Sequence, residues 1–309
     1  MLEVASLRYR VIFKKAFCVP SIFNAFASDA TGVLINVKDV ETEKKFSPVI
    51  GSVDITFDLF AQDEENRVIV DIQHERLGDH YDRFMHYTCA AILQQVAKSD
   101  DYKPPLAVYT IVVLTSGDKH KTDIATTDFD PKDRNGNGLG EIPHKVIYIA
   151  PKYVDDETPE EMKEWLRAID DSLDEQVDTG DYDRDEIQHV FDIIQKDRVT
   201  PQDRAKMIEE YHQEEIYEKK TQEGLAKGLE LGLVKGREEG REEGINIGEQ
   251  RGELQAKRDV LIRQLQRKFT DIPDIIIAQI QDTDDGIQLD SWLDALWGAD
   301  TLAEMNFEA

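Results

Sequence analysis

Residues 53–73 read VDITFDLFAQDEENRVIVDIQ, and this stretch decides the fold of the chain around it. Apolar and polar residues alternate over residues 53–60, while residues 67–73 are rich in Val and Ile. Both patterns predict β-strands. The polar, acidic residues 62–66 between them are typical of a turn. The sequence therefore predicts a β-hairpin here.

Acidic side chains recur on one face of each predicted strand. Side chains two residues apart share a face of a strand. Asp54 and Asp58 therefore lie together on the first strand. By the same rule, Asp71, Gln73 and Glu75 share a face of the second strand. If the two acidic faces match in the hairpin, Asp58 and Asp71 converge beside an amide.

A pair of converging carboxylates has two interpretations. Carboxylates without a basic partner repel each other, and Mg²⁺ binds one or two carboxylates together with waters and phosphate oxygens. Such a cation lowers the pKa of bound water and stabilises charge on a phosphodiester. An antiparallel sheet also commonly leaves one polar face in solvent. Spacing alone leaves a catalytic face and a solvated face both open.

The segments on either side of the hairpin predict further helices and strands. Apolar residues recur at helical spacing in two segments, and other segments are short and β-branched or strongly apolar. The predicted elements are helices at 8–28 (broken in two by Pro20) and 81–96, and strands at 33–37, 106–114 and 145–149. The order helix, three strands, helix, strand predicts an α/β domain with a mixed sheet over residues 1–155.

The second half of the chain is predicted to be all-helical, in three regions. Residues 156–222 are acidic, with helical spacing at Trp165 and Ile169. Residues 223–256 form a Gly-rich helical linker, and residues 257–309 a C-terminal helical region.

Glycine recurs at every fourth residue in the linker. The positions are Gly224, Gly228, Gly232, Gly236, Gly240, Gly244, Gly248 and Gly252. Each Gly inside a helix costs about 1 kcal/mol relative to Ala. One explanation is a seam at which a second helix approaches closely and joins two chains into a homo-oligomer. The other is a solvated spacer helix, supported by i,i+4 charge pairs in the repeat REEGREEG.

The charge is distributed unevenly along the chain. The formal net charge is −27, from 64 acidic and 37 basic residues, which argues against bulk electrostatic binding of nucleic acid. The acidity, however, belongs to the second half: residues 1–150 carry −5 and residues 151–309 carry −22. Residues 1–50 alone carry +2. The composition is therefore compatible with a local site for a polyanion.

Cysteine content and hydropathy indicate the compartment. The chain has two cysteines, Cys18 and Cys89, which is too few for a disulfide framework and is typical of a reducing compartment. The apolar runs are far shorter than the ~20 residues of a membrane helix. No apolar signal-peptide segment follows the N-terminus. We expect a cytoplasmic protein that does not bind membranes.

Several motifs occur in an order that resembles a known family. They are FDLFAQDEENRVIVDIQ at 57–73, YDRFMHY at 81–87, YKPPLAVY at 102–109 and PHKVIYIAPK at 143–152. The similarity also includes residues 24–26, the Gly repeat, residues 261–268 and residues 292–296. In this order the chain resembles the PD-(D/E)xK nuclease family of transposases, or recombination-promoting nucleases. The resemblance covers most of the chain and implies a restriction-endonuclease-like core.

The resemblance also implies roles for three residues of the hairpin. Asp58 and Asp71 match the two acids that bind Mg²⁺ (Mn²⁺ as an alternative), and Gln73 stands where the wider superfamily has its Lys. Asp71 replaces the Glu that is more frequent in this family, which shortens the side chain by one methylene. Gln73 lacks the positive charge that would polarise the attacking water. The implied partner is DNA.

Other residues are candidates for completing the site. Arg76 or Arg83 could supply the missing positive charge, although Arg83 is equally placed to pair with an acid of its own helix. An acid from the first helix often completes such sites, but residues 8–28 contain none. Glu41 and Glu43 are the nearest alternatives.

Two functions follow from these observations. The first is a divalent-metal-dependent DNA endonuclease that promotes recombination or transposition, with Asp58, Asp71 and Gln73 as its catalytic residues. The second is a catalytically degenerate nuclease fold that acts as an oligomerising or regulatory protein, for which the absent Lys, the shortened acid and the acidic helical half argue. In that case the acidic helices are a candidate cover over the nuclease surface.

Overall fold

The computed structural model describes residues 1–46, 55–74, 80–95 and 103–307. The chain forms two compact units, Met1–Tyr217 and Glu218–Ala309. Eight strands lie in the described residues: β1 (Leu2–Glu3), β2 (Glu41–Phe46), β3 (Ile55–Gln62), β4 (Asn66–Gln73), β5 (Ala107–Leu114), β6 (Ile124–Asp128), β7 (Lys145–Ile149) and β8 (Gln176–Val177). The α-helices in these ranges are α1 (Arg10–Phe17), α2 (Pro20–Thr31), α3 (His80–Leu93), α4 (Glu160–Asp171), α5 (Asp185–Ile194), α6 (Pro201–Lys268), α7 (Asp274–Asp282) and α8 (Gly286–Gly298).

A six-stranded mixed sheet in the order β2-β3-β4-β5-β7-β6 organises the first unit. β2, β3 and β4 pair antiparallel, β5 and β7 continue the sheet in parallel, and β6 pairs antiparallel with β7. The predicted hairpin is confirmed as β3 and β4. The α/β class with a mixed sheet is also confirmed. Three strands do lie between α2 and α3, but only two of them, β3 and β4, are among the three predicted ones.

The predicted strand at 33–37 is wrong, because helix α2 takes its backbone donors. The backbone N–H of Ile35 donates to Ser28 Oγ (2.9 Å), and that of Val37 donates to Asn24 Oδ1 (2.9 Å). With these donors satisfied by side chains, the segment has no ladder to join. The first strand of the sheet is instead β2. Its sequence, ETEKKF, has a single apolar residue and so lacks the apolar pattern that predicts a strand. β2 is an edge strand, and edge strands commonly carry charged residues.

Two further strands escaped the sequence patterns. β6 lies in the polar, Gly-rich segment after β5 and forms the opposite edge of the sheet. β8 lies in the half predicted to be all-helical and pairs with β1 at the N-terminus. That prediction is therefore wrong at one two-residue strand, and the N-terminus is paired with the helical region after the sheet.

Pro20 separates α1 from α2, as predicted. It occupies the first turn of α2, where its missing N–H costs no helical hydrogen bond. The two helices meet at 98°. No single helix in the described ranges has the length and hydropathy to cross a membrane, whereas this bent pair reaches both when its two helices are taken together.

Helices cover both faces of the sheet. One face packs Val68, Val70 and Ile72 of β4 against α1, α2, α4 and α5. An aromatic cluster in this core places Phe26 5.0 Å from Phe17 and 5.3 Å from Trp165, between ring centroids. The other face of β4 packs Ile69 toward α3. Since residues two apart share a face, Asp71 and Gln73 lie on the α3 side of the sheet.

The Gly repeat lies within the exposed part of α6. Each of the eight glycines is helical, and a Cβ added at any of them would meet no atom within 4 Å. In the chain itself, therefore, no neighbour requires a residue without a side chain. The repeat must be explained by a contact with another molecule or by tolerance.

Replacing Gly228, Gly232, Gly236 and Gly240 together with Ala is expected to stabilise α6 by up to about 1 kcal/mol per position. The new methyl groups enter open space, so no steric clash offsets the gain in helix propensity from Gly to Ala. Thermal unfolding followed by helical circular dichroism measures the effect. Light scattering on the same variant separates the two explanations: an unchanged mass fits a spacer, and a reduced mass fits a seam. A lower melting temperature at unchanged mass would contradict the expected gain.

Candidate metal centre

The register of the hairpin brings Asp58 and Asp71 together. β3 pairs with β4 from Leu59 opposite Val70 to Gln62 opposite Arg67. Asp58 lies directly beyond the end of this ladder, and its backbone N–H donates to the Asp71 carboxylate. Asp58 Oδ2 accepts a hydrogen bond from the backbone N–H of Ile72 (3.2 Å), which fixes its carboxylate against β4.

Three polar side chains at this position are buried. Asp58 is 9% exposed, Asp71 2% and Gln73 3%. Asp71 Oδ1 and both amide atoms of Gln73 have no hydrogen-bond partner within the described part of the chain. Buried polar atoms are nearly always paired, so these three atoms are candidates to bind an ion, a water or a ligand. Their oxygens are the donors that Mg²⁺ and Mn²⁺ prefer, so these residues fit a divalent cation.

The two carboxylates perturb each other. Burial, followed by the nearby charge of Asp58, raises the pKa of Asp71 to about 8. Burial also raises the pKa of Asp58, against the opposing effect of Arg10. In the absence of a cation, Asp71 therefore favours its protonated form at neutral pH. A bound divalent cation would reverse this preference by neutralising both charges.

Cations from two helices border the acid pair. Arg10 Nε lies 3.9 Å from Asp58 Oδ2. Arg83 of α3 donates from Nε to the Tyr87 hydroxyl (3.0 Å) and lines the same cavity as Asp58. The charges of Arg10 and Arg83 both lower the pKa of Asp71. Arg83, one of the two residues proposed from the sequence to supply positive charge, therefore lies at the site. The other, Arg76, lies outside the described residues.

Sequence reasoning missed Arg10. The available signal was the basic run at residues 8–15, which contains four cations and no acid. Nothing local in that run indicates that the start of α1 meets the middle of β3. Only the packing of α1 onto the sheet brings Arg10 to Asp58.

The proposed additional acids differ in position. Glu41 pairs with Lys44 (Oε2–Nζ, 2.7 Å). Glu43 accepts from Lys14 Nζ (2.8 Å) and lines the cavity that contains Asp58. Asp54 and Glu75 lie outside the described residues. Across the described ranges, no three or more His, Cys, Asp or Glu side chains are grouped to hold a metal ion. A cation here would be held by Asp58 and Asp71, with water and phosphate completing its shell.

Two cavities lie at the carboxyl end of β4, and Asp71 lines neither of them. Gln73 lines a cavity of about 260 Å³ together with Arg8, Arg10 and Glu210, and Asp58 lines an adjoining one of about 490 Å³. The backbone carbonyl of Gln73 accepts from the backbone N–H of Thr115 (2.9 Å), which ties this end of β4 to β5. Ligands of α/β sheets commonly bind at the carboxyl ends of parallel strands. The cavities give a phosphate group access to Asp58 and Gln73.

Two buried carboxylates lie beside an amide that has no partner among the described residues, and arginines border them, so this is a candidate site for a divalent cation. No protein-family model, curated protein or solved structure matches the chain. The fold is established as α/β with a six-stranded mixed sheet, and the nuclease family stays a prediction from sequence resemblance.

Asp71→Asn is expected to stabilise the metal-free protein by roughly 1–2 kcal/mol at neutral pH, because the raised pKa of Asp71 makes its carboxyl take up a proton on folding, whereas the amide is neutral already. The same change is expected to abolish any rise in melting temperature on adding Mn²⁺, since binding to the folded state is what stabilises it. Differential scanning calorimetry with and without Mn²⁺ measures both effects.

Glu64→Gln is the matched control, because it removes one charge from the exposed turn of the same hairpin. It should respond to Mn²⁺ as the wild type does. Equal stabilisation of the Asp71→Asn variant and the wild type by Mn²⁺ would show that the cation binds elsewhere.

Proposed function

We propose that the chain is a divalent-metal-dependent DNA endonuclease that hydrolyses phosphodiesters and promotes recombination or transposition in the cytoplasm. The observation that carries the proposal is the buried Asp58–Asp71 pair beside the unpartnered amide of Gln73. The order of sequence motifs supports the choice of DNA as substrate. The finer fold assignment, a restriction-endonuclease-like core, belongs to the same proposal.

The roles of the residues follow from their positions. Asp58 and Asp71 would hold Mg²⁺ or Mn²⁺, which supplies an activated water and stabilises charge on the phosphate. The side-chain carbonyl and NH₂ groups of Gln73 have no partner among the described residues. The carbonyl can accept a hydrogen bond from a water, and the NH₂ group can donate one to a phosphate oxygen. Arg10 and Arg83 border the acids and can offset the negative charge that a phosphodiester brings to them.

The second candidate function is an oligomerising or regulatory protein on a degenerate nuclease fold. Gln73 cannot supply the positive charge of a Lys, and the described residues contain no group of three or more His, Cys, Asp or Glu side chains that could hold a metal ion. A separate observation favours association. Leu225, Leu229 and Leu233 of α6 are spaced four residues apart, and each is at least 66% exposed. Such a row on a helix is the kind of apolar surface that a partner helix covers.

Supercoiled plasmid DNA is expected to be nicked by the wild type in Mg²⁺ or Mn²⁺ and not in the presence of a chelator. Asp58→Asn and Asp71→Asn are each expected to lower the rate by at least about 100-fold, because removing either acid removes half of the cation's protein ligands. Gel electrophoresis of the plasmid forms gives the rates. The Glu64→Gln variant should cleave at the wild-type rate, and Asp71→Asn cleaving at that rate would refute the site.

Gln73→Lys separates the two candidate functions. If the wild type does not cleave and this variant does, the chain is a nuclease fold that lost its Lys. If both cleave, Gln73 is compatible with catalysis. If neither cleaves while Mn²⁺ still stabilises the wild type, the site binds metal without hydrolysing DNA.

A further inference from the structure

A basic surface lies beside the candidate metal centre. It consists of Arg8, Arg10, Lys14 and Lys15, four cations in eight residues that include no acid. Arg10 and Lys14 line the cavity that contains Asp58, and Arg8 lines the one that contains Gln73. Cations next to a site that acts on phosphodiesters are the groups that neutralise a DNA backbone. We call these four residues the basic surface.

The beginning of α6 covers this basic surface. Residues 201–217 belong to the same compact unit as the sheet and carry five acidic and two basic side chains. Three of the acids contact the surface: Asp203 pairs with Lys15 (Oδ2–Nζ, 3.2 Å), Glu214 pairs with Arg8, and Glu210 Oε2 accepts from the backbone N–H of Arg10 (2.9 Å). Carboxylates thus occupy the positions around the basic surface that phosphate oxygens would take.

Residues 201–217 also line the two cavities beside Asp58 and Gln73. Glu210 lines both cavities, Glu214 lines the one at Gln73, and Glu209 lines the one at Asp58. A DNA backbone approaching from this side would meet carboxylates before it met the acid pair. Like charges at such short range repel strongly, so DNA and this part of α6 cannot occupy the basic surface together.

The contacts are suited to being exchanged. The paired side chains of Arg8 and Glu214 are 23% and 20% exposed, and those of Lys15 and Asp203 are 29% and 19% exposed. Ion pairs that reach solvent are individually weak. Arg8 also keeps one buried guanidinium donor, Nε, without an acceptor among the described residues. A polyanion therefore has both weak competitors to displace and an unused donor to satisfy.

We propose that residues 201–217 of α6 are an autoinhibitory element: their carboxylates hold the basic surface, and DNA must displace them to reach Asp58 and Asp71. This inference rests on the proposed function, since it names the regulation of the same site. Its physical basis is competition between intramolecular carboxylates and DNA phosphates for one set of cations.

DNA binding by the full chain tests the inference. The measurement is the fluorescence anisotropy of a short fluorescein-labelled DNA duplex at low salt with EDTA, so that no cleavage occurs. The Asp203→Asn/Glu214→Gln variant is expected to bind roughly five- to tenfold more tightly than the wild type, because Lys15 and Arg8 become available to phosphate. If this double variant does not fold, each single variant is expected to gain about two- to threefold.

A matched control distinguishes the effect of the autoinhibitory element from the effect of net charge on DNA binding. Glu223→Gln/Glu230→Gln removes the same two charges from the exposed continuation of α6. It should bind DNA with nearly wild-type affinity. An equal gain in the control and the test variant, or no gain in the test variant, overturns the inference.

The Arg8→Gln/Lys15→Gln variant tests whether the cations of the basic surface bind DNA. This variant is expected to bind DNA more weakly, and the slope of log affinity against log salt should fall in size by about one for each cation removed. An unchanged slope would show that the basic surface does not bind phosphate, which also overturns the inference.

The outcomes distinguish this inference from the proposed function. Because the binding assay contains no metal, tighter binding by the Asp203→Asn/Glu214→Gln variant supports the autoinhibitory element even if the wild type fails to nick plasmid. Metal-dependent nicking by the wild type without any gain in affinity by that variant overturns the autoinhibitory element alone.

Discussion

The antiparallel register of β3 on β4 is the constraint on which the rest of the site depends. Leu59 lies opposite Val70, and both side chains are fully buried in the core against α1 and α2. A slip of one residue would turn every side chain of β3 to the other face, which would expose Leu59 and bury the acid of Asp58 in the apolar core. The burial that fixes the register therefore also holds Asp58, the adjacent residue of β3, beside Asp71.

This arrangement is unfavourable by itself. Two carboxylates face each other in a buried position, and Gln73 beside them has its amide unpaired within the described residues. Arg10 and Arg83 offset part of the negative charge, and the apolar packing of the sheet's other face supplies the stability that holds the strands in place. A local loss of stability maintained by a well-packed scaffold is what a ligand-binding site requires. The cation and phosphate that would relieve the repulsion are the groups on which the proposed chemistry acts.

Local patterns predicted the parts of the fold that local interactions determine. Alternation and the acidic turn predicted the β3–β4 hairpin, Pro20 marked the break between α1 and α2, and the spacing within each strand placed the acids on one face. β2 and β6 were missed because they are edge strands, where polar residues face solvent and no apolar pattern is needed. Residues 33–37 were misread because side chains of α2, invisible to a strand pattern, bind their backbone.

The surroundings of the acid pair could not be predicted from the same patterns. Arg8 and Glu214 are 206 positions apart in the sequence, and their contact depends on how the start of α6 packs on the first unit. The uneven charge, basic in residues 1–50 and acidic after residue 150, indicated that the two parts are complementary. It did not indicate which carboxylates meet which cations. The structure makes the connection by setting residues 201–217 against the basic surface.

The proposed chemistry requires that Asp58 and Asp71 hold a divalent cation. The most direct test is the anomalous diffraction of Mn²⁺ in crystals of the full chain. We expect one strong anomalous peak within coordination distance, about 2.0–2.3 Å, of a carboxylate oxygen of both Asp58 and Asp71. A fully occupied peak elsewhere, with none between these two side chains, would contradict the account.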